Sequence, residues 1–342
     1  MNPKLKKTLI LFVKIVIVLL VFVWVGFELY KSWNKIQNIV WKPDYLWLSF
    51  SALLYLAAYV PAWLFWHYSL RSLRQEPGLY ESFRAYYIGH LGKYVPGKAV
   101  VVILRSGLLR HDRTRASVAA AAVFLETLTM MAAGAFLSAL IIVVWFRDIP
   151  HGNWLTLLAI GMMCASGLPV FPPIFRRLAK KLGVGRTDPD IDEKLQGVHL
   201  KTVAVGWGLT TLSWILLGLS LWATIKGIGL DTGSLLENLP RWTLAASFSV
   251  VLGFVAMIPA GVGVRDSAMA IILTSFFVAQ GGTQDLATVQ ALLIAGVQRL
   301  ISILAELAIS APMMLRIRKT DRGSDRCENR ETDGAATDSQ RE

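Results

Sequence analysis

The sequence predicts an all-α, polytopic membrane protein with about six full spans and two re-entrant or broken helical hairpins, arranged as an inverted repeat. Three observations carry this. Of the 342 residues, 54% are hydrophobic and 17% charged, where a soluble domain averages about a quarter charged; the mean hydropathy is +0.51. Several apolar runs reach about twenty residues, enough to cross the hydrocarbon of a bilayer. Lys and Arg gather in the short loops between those runs, as the positive-inside rule requires. That placement also excludes a nucleic-acid partner despite a net charge of +12, because no basic soluble module exists to meet phosphates.

In chain order, the first span covers about 8–30. Its apolar run is too long for a secretory signal and lacks a small-residue cleavage site, so it reads as uncleaved. Further spans cover about 44–68, 116–146, 153–175, 200–228 and 286–315. Between the second and third lies "LYESFRAYYIGHLGKYVPGKAVVVILRSGLL", and about 242–280 is an apolar segment split by "IPAGVGVRDS". Residues 1–318 form one transmembrane domain. Residues 319–342 hold almost nothing to bury and are expected to be a disordered polar tail. Cys164 lies in an apolar span and Cys327 in the tail, so no disulfide framework is implied. Trp41, Tyr45, Trp47, Trp154 and Trp242 sit near span ends and read as interfacial anchors.

Loop charges set the orientation. Lys4, Lys6 and Lys7, then Arg71, Arg74 and Arg84, then Arg110, Arg113 and Arg115, then Arg176, Arg177, Lys180, Lys181 and Arg186, and last Arg316, Arg318 and Lys319 belong in the cytoplasm. Both termini are then cytoplasmic. Lys31, Lys35 and Lys42 are the exceptions on the other side. Both ends of 86–109 fall in the cytoplasm, so that stretch must dip in and return. Both ends of 242–280 fall outside, so it must turn back from the opposite face. Such a pair places a site near the midplane.

The first break contains Pro96 and Gly97, which remove a backbone donor and permit a sharp turn. A helix resuming at Lys98 presents free N–H groups and its positive dipole end. With Lys93 and Arg105 it makes an anion site; the alternative is an amphipathic cytoplasmic loop with snorkelling lysines. In the second break, Pro259, Gly261 and Gly263 open the helix, and Arg265 and Asp266 follow. Asp266 can cap the next half-helix or pair with a cation; the alternative is an ordinary extracellular turn. Glu126 and Arg299 are isolated charges within spans, and Glu306 shares a helical face with Arg299. A charge at that depth costs about 2.5–3.5 kcal/mol on insertion scales. Glu126 with Arg299 is the expected pair, either in a cavity or only bracing the helices. The acidic "DPDIDE", 188–193, reads as a solvated loop. The five histidines, 67, 90, 111, 151 and 199, have no ligand spacing, and His90 alone is near the first break. No metal or other cofactor is expected.

"HLGKYVPGKAVVVILRSGLL", Glu126 in "FLETL", "IPAGVGVRDSAM" and "VQRLISIL" together resemble the lysylphosphatidylglycerol synthase transmembrane-region family, the flippase-like membrane domain of the multiple peptide resistance factor type. The resemblance covers about residues 8–316. It implies a bacterial or archaeal inner-membrane protein that translocates lipid, with Lys93, Pro96, Gly97, Lys98, Glu126, Pro259, Gly261, Gly263, Arg265, Asp266 and Arg299 as its site residues. Thr127 stands where relatives often have Arg, and Asp266 where they often have Glu. The soluble aminoacyl-transfer domain of the full synthase does not follow Arg318, so a synthase activity is not implied.

The expected function is binding of an anionic or phosphate-bearing lipid headgroup by half-helix N-termini with Lys98, Arg105 and Arg265, and its passage between leaflets. The partners are membrane phospholipids. Two alternatives stand: a membrane-embedded enzyme or accessory subunit of lipid or glycan transfer, with protein partners in that pathway, or a scaffold that binds lipid without moving it. The enzyme would need a catalytic acid, base or metal cluster, and no convincing one is present.

Overall fold

The structure, a computed structural model, describes residues 43–95, 99–109, 114–145, 160–163, 165–181, 190–256 and 258–338; side chains at 99, 259 and beyond 315 are outside the description. It is all-α. The helices are α1 (Tyr45–Ser72), α2 (Leu79–His90), α3 (Ala99–Leu108), α4 (Ala116–Trp145), α5 (Pro172–Lys181), α6 (Ile191–Leu195), α7 (Leu200–Ile228), α8 (Leu235–Val255), α9 (Val264–Ala279) and α10 (Gln284–Asp338). Four among the described residues are long and apolar enough to cross a membrane: α1, α4, α7 and Gln284–Leu315 of α10. They coincide with four of the expected spans. The first expected span lies outside the described residues, as do 153–159 and 164; the rest of the expected span 153–175 is interrupted by a 3-10 turn at Leu168–Val170, after which α5 begins at Pro172. The tail expected at 319–342 falls where no side chains are described.

The central pair is α1 against α7. Asp44 caps α1, its carboxylate accepting from Leu46 N at 2.9 Å and Trp47 N at 3.3 Å. Asp44 N in turn donates to Gly227 O at 2.8 Å. At the far end of α1, the Ser72 carbonyl lies against Gly197, just before α7. The two helices are therefore antiparallel, and 28 residues at about 1.5 Å each separate the two ends of the pair by about 42 Å. Nearer the Gly197 end, Gly206 receives the Phe65 ring, where a Cβ would sit 2.3 Å from the ring. Apolar lipid gives no drive for helices to associate, so close approach at small residues and interhelical hydrogen bonds must hold them. A buried polar ladder does so here. Ser51 Oγ lies 3.1 Å from Ser220 Oγ and 2.7 Å from Thr224 Oγ1, and Thr224 donates to Gln298 of α10 at 2.5 Å. Trp214 Nε1 donates to Met130 O at 2.9 Å, and Ser138 meets Ser247 at 2.7 Å, which ties α4 to α7 and α8.

Two antiparallel hairpins pack on this frame. In the first, α2 runs to a 3-10 turn at Leu91–Tyr94 and α3 returns along it. Gly89 faces Arg105, and Gly92 faces Val101. The outer ends meet where Gln75 Oε1 accepts from Arg115 N at 2.8 Å, beside Ser72 and Gly197. In the second, α8 runs to a 3-10 turn at Pro259–Gly261 and α9 returns. Gly253 lies against Gly261, and Trp242 packs edge-on to Phe276 at 4.6 Å. Its outer ends, Gly233 and Gln280, are neighbours, and Thr232 accepts from Trp222 Nε1 at 3.2 Å, near the Gly227 end of α7. The hairpins thus enter the bundle from opposite ends. Trp242, expected as an interfacial anchor, is 0% exposed in this packing; it follows the polar opening of α8, and that made its position look peripheral.

The acidic segment is an exposed ionic clasp. Asp190 pairs with Arg115 at 3.2 Å, Asp192 with Lys180 at 2.8 Å, and Glu193 with Arg74 at 2.5 Å. Three basic loops assigned to the cytoplasm by charge are thereby held on one face.

Replacing Gly206 by Val would drive a branched side chain into Phe65. An overpacked contact of this kind costs about 1–3 kcal/mol, so the midpoint of thermal unfolding in detergent should fall. An unchanged midpoint would show that α1 and α7 are not in this register.

Candidate functional site

The turns of the two hairpins touch each other inside the bundle, and α10 crosses both. Every ionised group on these elements then has to be matched, because an isolated charge away from water is costly. Three carboxylates organise the junction.

Glu126 of α4 is 2% exposed and so is Arg105 of α3. Their Nη1–Oε2 distance is 2.8 Å, and Tyr86 OH donates to the other carboxylate oxygen at 3.1 Å. The guanidinium also stacks over the Tyr86 ring at 3.9 Å and near Trp66 at 5.5 Å. Gly89 makes room for this: a Cβ there would lie 2.3 Å from Arg105 Cγ.

Asp266 opens α9. One oxygen accepts from Arg299 Nη1 at 3.1 Å; the other accepts from the same nitrogen at 3.2 Å and from Gly263 N at 3.2 Å. It therefore caps its helix and pairs with a cation, the two roles the sequence left open. Arg299 Nη2 also donates to Ala260 O at 3.3 Å, inside the break. Ala260 has φ 50° and Gly261 and Gly263 have φ 62° and 82°, a left-handed turn that glycine enters without steric cost.

Glu306 of α10 is the third. Its Oε1 accepts from both Lys93 Nζ and Tyr55 OH. Lys93 also meets His90 Nε2 at 3.0 Å and Tyr55 OH at 3.3 Å, and its ammonium lies 5.0 Å from the Tyr94 ring centre and 5.9 Å from that of Tyr59. His90 packs on Tyr59 at 4.3 Å and stacks with Tyr86 at 6.2 Å. Aromatic contacts thus link the Glu126 and Glu306 groups. Arg265, one residue before Asp266, faces Tyr55, Tyr59, Tyr94, His90 and Lys93 closely enough to act on them electrostatically. Among the described residues it makes no hydrogen bond or ion pair. It flanks a cavity of about 10 Å³ lined also by Leu217, Leu221, Ala246, Val250, Met269 and Gln298.

The expected Glu126–Arg299 pair is not formed. Arg105 on the returning arm of the first hairpin reaches Glu126 first, and Arg299 is taken by Asp266 at the second break. Arg105, expected to face a headgroup, is instead consumed inside the hairpin wall. Lys93, Arg265, Asp266 and Arg299 do converge with Gly261 and Gly263 on the junction. Pro96, Gly97 and Lys98 lie outside the described residues, as does the Pro259 side chain. Glu306, Tyr55 and Tyr59 were absent from the sequence-based site. Glu306 was visible as a lone carboxylate in the last span; the tyrosines carried no signal, since an i, i+4 aromatic pair on a membrane helix is ordinary packing. No group of three or more metal-ligating side chains occurs among the described residues.

Glu126→Leu should cost about 3–5 kcal/mol, because it strands a buried guanidinium. Arg105→Met in the same chain should recover most of that loss, and Arg299→Met should recover none. Unfolding midpoints in detergent read both outcomes, and recovery by Arg299→Met would overturn the pairing.

The broken hairpins, their glycine turns and the intramembrane charges are the features the sequence motifs had marked. Compared with known families, residues 11–306 match the lysylphosphatidylglycerol synthase TM region. No individual curated protein matches the chain. The match spans most of the 342 residues and takes in all three carboxylate groups, so the chain belongs to the lysylphosphatidylglycerol synthase transmembrane-region family.

Proposed function

We propose that this membrane protein is a flippase-like translocator of the cytoplasmic membrane in a bacterium or archaeon, and that the junction of its two hairpins receives the phosphate-bearing headgroup of a lipid. In this reading both hairpins are re-entrant and the two halves form an inverted repeat, with the basic face clasped by Asp190, Asp192 and Glu193 in the cytoplasm and both termini on that side. The observation that carries the proposal is Arg265. It is a half-buried cation for which the described residues show no hydrogen bond or ion pair, since its neighbour Asp266 is bonded to Arg299, and it lies beside a lysine that already shares a single carboxylate. An arginine at such depth costs about 2.5–3.5 kcal/mol on insertion scales and normally has a partner or a pathway. A phosphate oxygen supplies the missing partner, and guanidinium binds phosphate in a bidentate fork.

The cavity beside Arg265, about 10 Å³, has room for about one water. Admission of a headgroup beside Arg265 therefore requires the surrounding helices to part. Each hairpin is closely packed through glycine contacts, and the turns of the two hairpins meet each other. Rocking of one against the other would open the junction to one leaflet and then the other.

Reconstitution of the protein in liposomes with fluorescent phospholipids tests this. The wild type should speed leaflet exchange, and Lys93→Ala or Arg265→Ala should slow it by about tenfold or more, the scale of losing one charged contact. Exchange no faster than in protein-free vesicles would refute translocation. Chemical conversion of the lipid without exchange would favour the enzyme, and binding without either would favour a scaffold.

A further inference from the structure

We infer that Glu306 sets the charge class of the headgroup, so that the junction takes a singly charged phosphodiester and discriminates against a doubly charged phosphomonoester. This rests on the headgroup reading above. It comes from comparing the three carboxylates. Those that brace the helices are saturated: Glu126 receives Tyr86 on one oxygen and Arg105 on the other, and both oxygens of Asp266 receive Arg299, with Gly263 N added to one. Glu306 differs. Lys93 and Tyr55 both donate to Oε1, and Tyr94 lies near the carboxylate, while no described residue is found to donate to the buried Oε2. An acceptor buried without a donor is expensive.

The charges facing Glu306 can be counted element by element. From α1 come Tyr55 and Tyr59, both uncharged phenols donating or sharing hydrogen bonds. From α2 comes His90. An ammonium only donates, so His90 Nε2, 3.0 Å from Lys93 Nζ, accepts and the ring is neutral. From the first turn come Tyr94 and the Lys93 cation; the Arg265 cation of α9 acts on the same tyrosines, Tyr55, Tyr59 and Tyr94. On its own helix, Arg299 is already neutralised by Asp266. Arg105 and Glu126 cancel each other. Among the described residues, two cations therefore stand against one anion, an excess of one positive charge.

A phosphodiester brings one negative charge and balances that excess. A phosphomonoester near full ionisation brings two. Its second charge finds no further unpaired cation among the described residues and meets the Glu306 carboxylate across a poorly screened junction, where like charges repel. Glu306→Gln keeps the shape and the Oε1-type acceptor but removes the charge, which leaves two cations for a dianion.

The full chain in an uncharged maltoside detergent, titrated by calorimetry with short-chain phosphatidylglycerol or phosphatidic acid of the same acyl length, reads the discrimination. At pH 8 the wild type should bind phosphatidylglycerol about tenfold more tightly, the scale of one like-charge contact in a partly screened site. Glu306→Gln should erase or invert that ratio. The ligand itself supplies a second measurement that needs no variant. The second phosphomonoester ionisation lies near pH 6, so the wild-type preference should shrink as the pH is lowered from 8 to 6. Equal or tighter binding of phosphatidic acid by the wild type at pH 8 overturns the inference, as does a ratio unmoved by a folded Glu306→Gln. If both lipids bind without discrimination, the headgroup reading survives and this inference fails; if neither binds, both fail.

Discussion

A helix can be interrupted in apolar surroundings only where protein covers the backbone groups that the interruption frees. In this chain the cover is mutual. The turn at Leu91–Tyr94 and the turn at Pro259–Gly261 lie against each other, and α10 seals the junction with side chains from one face. Arg299 takes the Ala260 carbonyl and Asp266 takes the Gly263 amide. The second break is thus closed by its own Asp266 and by α10, with the first turn packed against it.

The same constraint governs the charges. Each carboxylate near the junction carries a different task. Glu126 locks the first hairpin to α4 through Arg105, in a site dry enough that stranding either partner is heavily penalised. Asp266 finishes the second break and anchors it to α10. Among these three, Glu306 is the one with an oxygen that no described residue is found to bond, next to Lys93. A structure built only for rigidity would pair these cations fully. Among the described residues the residual positive charge lies where the turns of the two hairpins meet.

Much of this was legible in the sequence, for local reasons. The expected span at about 200–228 is the helix Leu200–Ile228, because length, hydropathy and the Gly229 stop are all near neighbours in the chain. Pro259, Gly261 and Gly263 announce the second break in the same way. The loop arginines, counted by sign, imply hairpins from opposite ends, and the contacts Gln75–Arg115 and Gly233–Gln280 place the hairpin ends accordingly. Partner choice was not legible. Composition says that Glu126 needs a cation but not that Arg105 reaches it before Arg299, since that depends on how α3 folds back on α2 over Gly89 and Gly92. Tyr55, Tyr59 and the burial of Trp242 were invisible for the same reason: each is set by which helices become neighbours.

The central claim is that two hairpins enter the membrane from opposite faces and meet in a charged junction. Cysteine accessibility tests it most directly. Glu76 precedes the first hairpin and Gln284 follows the second, and both are exposed. In intact cells or oriented vesicles, Glu76→Cys should react with a membrane-impermeant maleimide only from the cytoplasmic side and Gln284→Cys only from the opposite side. Labelling of both from one side would contradict the opposed hairpins, and with them the junction as a route between leaflets.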